Sequence, residues 1–272
     1  MPLIDANYTK LFVESFGDPA LPPVLLIHGL FFSGKMYAAQ LPLLTKHFYC
    51  VTLDLRSMGR SAPALGGHDV DNLCADALAV QDALNLGPVH WVGSSVGGVM
   101  GIRVAAQRPE RVRSLVTCGA SAHSEPAEKV ARYDAMMADY VKDPAANWAR
   151  TSRVLYASGF LEDPQRKAEV EAQRAAFLDN DHAANQRAGA PIFRRVNIEH
   201  LLPHVKCPTL AVVGEKDAAN PPSESEVIVS GIGKRARLHV MPGVGHQPNA
   251  EAPQQLGEVI LDFLRECEAA AA

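Results

Sequence analysis

His90-Trp91-Val92-Gly93-Ser94-Ser95-Val96-Gly97-Gly98-Val99-Met100 is the stretch on which the fold turns. It opens as a short apolar run, passes through a G-x-S-x-G frame and continues with helical character, the pattern of a strand that reverses sharply into a helix. In such a turn the central residue takes a strained backbone conformation, and glycines two positions either side leave room for the chain beneath it. Ser95 is the residue that fits the frame. A bare Gly- and Ser-rich turn often has no chemical importance. Here the flanking strand and helix favour the chemical reading.

The same alternation extends outward. Short aliphatic or β-branched runs at Leu11 to Phe16, Val24 to His28, Tyr49 to Leu53, Val89 to Gly93, Ser114 to Cys118, Thr209 to Gly214 and Arg237 to Met241 read as strands, separated by Gly or Pro breaks and helical segments. Several are apolar throughout, as strands covered on both faces must be. The fold class is therefore α/β with a mostly parallel central sheet flanked by helices. Asp69 to Leu86 carries Leu73, Ala77, Val80 and Leu84 at helical spacing, and Pro253 to Cys267 carries Leu256, Ile260 and Leu264. Between Cys118 and Thr209 the strands lapse into Ala-, Arg- and Glu-rich helical sequence punctuated by Pro126, Pro144, Pro164 and Pro191. The expected organisation is a core of residues 1–120 and 203–272 with a helical cap, 121–202, inserted between two strands.

Composition narrows the function. The 272 residues are 47% apolar and 21% charged with a formal net charge of −4, which excludes disorder and lacks the basic footprint of a nucleic-acid binder. Apolar runs are only a few residues long, too short to span a membrane. The opening MPLIDANYTK has neither a basic start nor an apolar stretch after it, so a cytoplasmic location without a secretory signal is expected. Asn7-Tyr8-Thr9 fits a glycosylation acceptor, which matters only in a secreted protein. Cys50, Cys74, Cys118, Cys207 and Cys267 are odd in number and lack a CxxC pair, so they read as free thiols that mostly fill the core.

A serine hydroxyl is a weak nucleophile and needs a base oriented by a third group. Asp217 follows the strand Thr209 to Gly214, and His246 follows Arg237 to Met241 in a Gly-rich loop. Ser95, Asp217 and His246 thus each lie just past the carboxyl end of a parallel strand, the edge where open α/β sheets bind ligands. Alone, the aspartate is an ordinary turn former and the histidine a surface residue; jointly with Ser95 they point to nucleophilic catalysis.

With these residues the chain resembles the α/β-hydrolase superfamily over nearly its whole length. The matching pieces are Leu25 to Gly29, Asp54 to Ser61, Gly93 to Gly98, Cys207 through Asp217 and Gly243 to His246. The resemblance implies Ser95 as nucleophile, His246 as base and Asp217 as acid, with the backbone N–H groups of Leu30 and Val96 as the oxyanion hole. It departs from the family pattern at Ser57, where Gly is usual, and at Val96, where Met or Leu is frequent. The most similar groups are esterases, enol-lactonases and cofactor-free haloperoxidase-like perhydrolases. Haloalkane dehalogenases and most epoxide hydrolases are less similar, since their nucleophile is Asp. The expected reaction is cleavage of a small carboxylic ester or lactone through an acyl-enzyme. Peroxide-using and C–C-cleaving hydrolases share the same three residues, and a small-molecule receptor of this fold is the alternative from another class.

Phe31, Phe32, His123, Met136, Tyr140 and Trp148 are the candidates for the substrate pocket, and Arg132, Arg150, Arg153 and Arg174 the cap arginines available to a substrate carboxylate. His28 is expected to brace its turn. No His, Asp and Glu cluster has metal-ligand spacing, so neither metal nor cofactor is implied. Gly29 to Met36 matches G-x-x-x-x-G-K, but Met36 stands where a phosphate loop needs Ser or Thr for magnesium. Lys35 is then a solvated side chain. Monomer and homodimer are both open.

Overall fold

The computed structural model describes residues 3–271. Its strands are β1 (Leu3–Ala6), β2 (Thr9–Phe16), β3 (Pro23–Ile27), β4 (Tyr49–Leu53), β5 (Val89–Ser94), β6 (Val112–Cys118), β7 (Thr209–Gly214) and β8 (Ala236–Met241). They form one eight-stranded sheet in the order β1-β2-β4-β3-β5-β6-β7-β8. β2 pairs antiparallel with β1 and with β4, while every pairing from β4 to β8 is parallel.

Helices α1 (Leu41–Leu44), α2 (Val70–Ala83) and α3 (Val96–Gln107) belong to the first half. Between β6 and β7 come α4 (Ala127–Lys142), α5 (Pro144–Leu155), α6 (Ser158–Leu161), α7 (Lys167–Leu178) and α8 (His182–Phe193). The chain closes with α9 (Pro222–Ile232), α10 (Pro248–Glu251) and α11 (Pro253–Ala271).

Because side chains alternate along a strand, the parallel strands feed two cores. Leu25, Ile27, Val51, Leu53, Trp91 and Leu115 pack on one face with Leu73, Ala77 and Val80 of α2 and Ile102 of α3. On the other face Val24, Leu26, Cys50, Val92, Val116 and Val212 meet Leu256, Ile260, Phe263 and Leu264 of α11. Full burial of each such aliphatic side chain contributes roughly 1.5–3 kcal/mol. α2 starts where Asp69 caps it, its carboxylate accepting from the Asn72 N–H at 3.0 Å.

The sheet has one strand that the pattern did not announce. β1 folds onto β2 through Asn7 and Tyr8, both at positive φ (44° and 62°), a reversal usually signalled by Asn-Gly. The Asn7 amide donates to Asp76 Oδ1 at 2.9 Å, which gives this side chain a structural use. Other expectations shift at their ends: β6 begins at Val112 and β8 at Ala236, while α2 stops at Ala83, short of Leu86. Cys50, Cys74 and Cys118 are buried and unpaired; burial pushes the Cys50 and Cys118 thiols each up to about 12. Among the described residues no helix is long and apolar enough to cross a membrane.

Candidate active site

Ser95 links β5 to α3 at φ 51° and ψ −115°, a conformation that costs a residue with a side chain on the order of 1–3 kcal/mol. Its neighbours hold it there. A Cβ on Gly93 would lie 2.1 Å from the Gly97 carbonyl oxygen, and one on Gly97 would lie 2.5 Å from the Ile27 carbonyl oxygen. The Ser95 N–H donates to the Cys118 carbonyl at 2.8 Å, and the Trp91 indole N–H to the Gly97 carbonyl at 2.9 Å. The strain is therefore imposed by the meeting of three strands and a helix.

Past the end of β7, Asp217 is buried and fully engaged. Oδ1 accepts from the N–H groups of Ala219 (2.9 Å) and Asn220 (2.8 Å), and Oδ2 is 2.7 Å from His246 Nδ1. Gly119, at φ +58°, passes directly over this pair. A Cβ there would come within 2.9 Å of both Asp217 Oδ2 and His246 Nδ1. The Asn220 side chain fixes the approach by donating to the Gly119 carbonyl at 2.7 Å.

Burial pulls the pKa of His246 down, but the charge and hydrogen bond of Asp217, aided by Glu251, outweigh it and leave the value above the ordinary 6.5. Glu251 holds the His246 loop from below. Its Oε2 accepts from the N–H groups of Gly245 (2.9 Å) and of Ala157 (3.0 Å), and Oε1 from that of Gln247 (3.2 Å). One carboxylate thus ties both sides of His246 to the segment between α5 and α6.

Ser95 and His246 line one cavity, together with Leu30 and Val96. The Ser95–His246 hydrogen bond is not formed in this structure; such contacts often tighten only when substrate is bound. Val96 is the first residue of α3, so its N–H has no partner within the helix. Leu30 follows Gly29, whose carbonyl is braced by His28: Nδ1 lies 2.7 Å from the Gly29 oxygen, and Nε2 accepts from the Leu55 N–H at 2.9 Å. That pattern makes His28 a neutral imidazole protonated on Nδ1, and burial accordingly lowers its pKa. His90 is likewise structural, hydrogen-bonded to Ser114 Oγ at 2.7 Å and driven by burial to about 4.

The cavity is small, about 90 Å³. Phe31 and Met136 line it, as do Val99, Leu155, Ile192 and Phe193. Four other expected pocket residues lie elsewhere. Phe32 faces an outer depression with Lys35 and Asn180. His123 turns to α9, where its Nδ1 lies 2.9 Å from Glu224 Oε2. Tyr140 is fully buried behind Phe31, ring centroids 5.3 Å apart. Trp148 packs on Phe177 and Tyr156 and borders a separate surface hollow. Tyr140 and Trp148 depart because helical spacing names a face but not which neighbour covers it, and Phe32 and His123 because they sit in loops, where no periodicity sets the direction of a side chain.

Residues of the cavity wall outside that expectation include Glu125, Arg195 and Asn220. None has a local signature apart from Asn220, three residues after Asp217 in an Asx-type turn. The phosphate-loop pattern is also resolved: the Gly34 N–H donates to Asp54 Oδ1 at 2.6 Å, so a carboxylate sits where a phosphate would be needed. Ser57, at φ 64°, shows why Gly is usual there; its hydroxyl accepts from the Ala64 N–H at 2.8 Å and meets His68 Nε2 at 2.9 Å.

The sequence model of the alpha/beta hydrolase fold family matches residues 22–253, and the chain belongs to that family. It is a hydrolase of the α/β fold. The chain is 30% identical over 258 residues to a putative carbamate hydrolase RutD of Variovorax paradoxus (strain S110), covering 93% of this chain and 96% of that protein. It is 29% identical over 251 residues to the serine hydrolase BPHL of Mus musculus, covering 89% and 79%. Among solved structures, a thermophilic esterase from Thermogutta terrifontis with malate bound superposes at a TM-score of 0.86, with 25% identity over 95% of this chain and 94% of that one. The enol-lactonase from Burkholderia xenovorans LB400 shares the fold at a TM-score of 0.89, with 22% identity over 97% and 100%.

Proposed function

We propose that the protein is a serine hydrolase that cleaves a small carboxylic ester or lactone through an acyl-enzyme. The observation that carries this reading is a serine held in a strained turn on the wall it shares with His246, whose other ring nitrogen is hydrogen-bonded to a buried aspartate at 2.7 Å. Ser95 Oγ attacks the substrate carbonyl while His246 Nε2 takes its proton, and Asp217 holds the ring and stabilises the imidazolium. The N–H groups of Leu30 and Val96 bind the developing oxyanion, each worth about 3 kcal/mol in comparable sites. His246 then returns the proton to the departing alcohol. Water, deprotonated by the same imidazole, attacks the acyl carbonyl; the carboxylic acid leaves and Ser95 recovers its proton.

Several relatives act on acyl compounds by their names, which supports the substrate class at that level. The test is a time course of nitrophenol release from p-nitrophenyl acetate and butyrate. Sustained turnover that falls by about 10⁶ in Ser95→Ala is expected. Equal turnover in Ser95→Ala, or none in the wild type, contradicts the reading.

A further inference from the structure

The cavity wall is mostly apolar, yet it carries two charged side chains from the two ends of the insertion, Glu125 and Arg195, with Lys129 paired to the first of them. Glu125 precedes α4, Lys129 lies in its first turn, and Arg195 follows α8. Arg195 Nη2 is 2.7 Å from Glu125 Oε1, and Lys129 Nζ is 2.9 Å from Glu125 Oε2. The Glu125 and Arg195 side chains are only 7% and 9% exposed. Two cations against one carboxylate leave a net positive charge beside an apolar chamber.

Arg195 Nε is buried without a hydrogen-bond partner, although Arg195 borders the cavity. Nη2 is taken by Glu125, and among the described residues no protein group meets Nη1, which leaves that N–H group for an acceptor on a bound molecule. Lys129 also donates to the Ala219 carbonyl at 3.1 Å, which sets the cluster against the loop that begins at Asp217. Tyr133 lines the cavity next to it, held by stacking on Phe193 with centroids 4.0 Å apart. Glu125 does not repel an anion from this place, because both its oxygens already face cations; these cations, against the opposing effect of burial, keep its pKa low and the carboxylate ionised.

A plain structural staple between α4 and the end of α8 needs one cation for Glu125. The second cation and the Arg195 Nη1, which no protein group meets among the described residues, are what a ligand would use. We propose that Arg195, supported by Lys129, forms a subsite for a carboxylate on the substrate, so that the preferred substrate is a half-ester or a lactone carrying a free acid group. This rests on the ester-hydrolase reading and narrows its substrate class.

The test compares monomethyl succinate with methyl butyrate, which match in length and differ in the terminal carboxylate, by pH-stat hydrolysis with the wild type, Arg195→Met and Arg195→Lys. The wild type is expected to prefer monomethyl succinate in kcat/KM by at least about tenfold. Arg195→Met should reduce that preference by about 10- to 100-fold, chiefly through KM, and Arg195→Lys should restore part of it. A wild type without preference, or an Arg195→Met that loses both esters in the same proportion, overturns the subsite while leaving the hydrolase reading intact. Calorimetric binding of monomethyl succinate to Ser95→Ala, with and without Arg195→Met, separates the two claims. Arg195-dependent binding with no turnover of either ester by the wild type keeps the subsite and rejects the hydrolase. Absence of both binding and turnover rejects both.

Discussion

The two walls of the cavity are built by different means. On the sheet side, geometry is set by backbone: Gly93 and Gly97 admit no side chain, Gly119 runs against Asp217 and His246, and buried carboxylates gather amide N–H groups. On the insertion side the wall is made of side chains carried on helices, such as Met136 of α4, Leu155 of α5 and Ile192 of α8. A backbone-built wall tolerates little change, because displacing it moves several groups at once. A side-chain wall can be altered one contact at a time. In the proposed mechanism chemistry is tied to the sheet edge and selectivity to the helices.

Substitutions on the two walls should differ accordingly. Gly119→Ala forces a Cβ into the Asp217–His246 pair from a backbone that already disfavours side chains, so kcat with p-nitrophenyl butyrate should fall by about 10². A loss of only a few-fold would show that the sheet edge yields easily. Glu251→Gln removes a charge that raises the His246 pKa and weakens the clamp on its loop. A fall of about tenfold in kcat is expected, the equivalent of one charge-assisted hydrogen bond.

The pH profile makes that second case specific. In the proposed mechanism the unprotonated His246 is the active form, so the acid limb of kcat/KM in the wild type should have its midpoint above 6.5, the ordinary imidazole value. Glu251→Gln should move the midpoint to lower pH. An unmoved limb would reduce Glu251 to packing. On the insertion side, Ile192→Val removes one methylene from the wall and should lower kcat/KM for butyrate by only about fourfold, the value of about 0.8 kcal/mol. A loss as large as that of Gly119→Ala would erase the contrast between the walls.

This contrast also separates what sequence discloses from what it conceals. Ser95, Asp217 and His246 are legible because each ends a strand in a local pattern of its own, and parallel topology carries strand ends to one edge. The alternation of strand and helix disclosed the sheet for the same reason. β1 escaped because its turn uses Asn7-Tyr8 where glycine is the usual signal.

The insertion was legible as helices but not as a wall. Arg132, Arg150, Arg153 and Arg174 drew notice as cap cations, yet Arg150 pairs with Asp139 and Arg174 with Glu171 outside the cavity, and Arg153 borders the separate surface hollow. The arginine that lines the cavity is Arg195, joined to a glutamate 70 residues away. A pairing over that distance leaves no periodicity to read. Glu251 is similar: its role depends on α10 returning its carboxylate to the amides beside His246.

The central claim is that the strained Ser95 turn presents a nucleophile activated by His246. Intact-mass and peptide mapping after treatment with a fluorophosphonate ester tests it most directly. One phosphonyl group per chain, attached to Ser95 and absent from Ser95→Ala, is the predicted result. A label on another residue, or an unlabelled Ser95 under conditions that leave the fold intact, would contradict it.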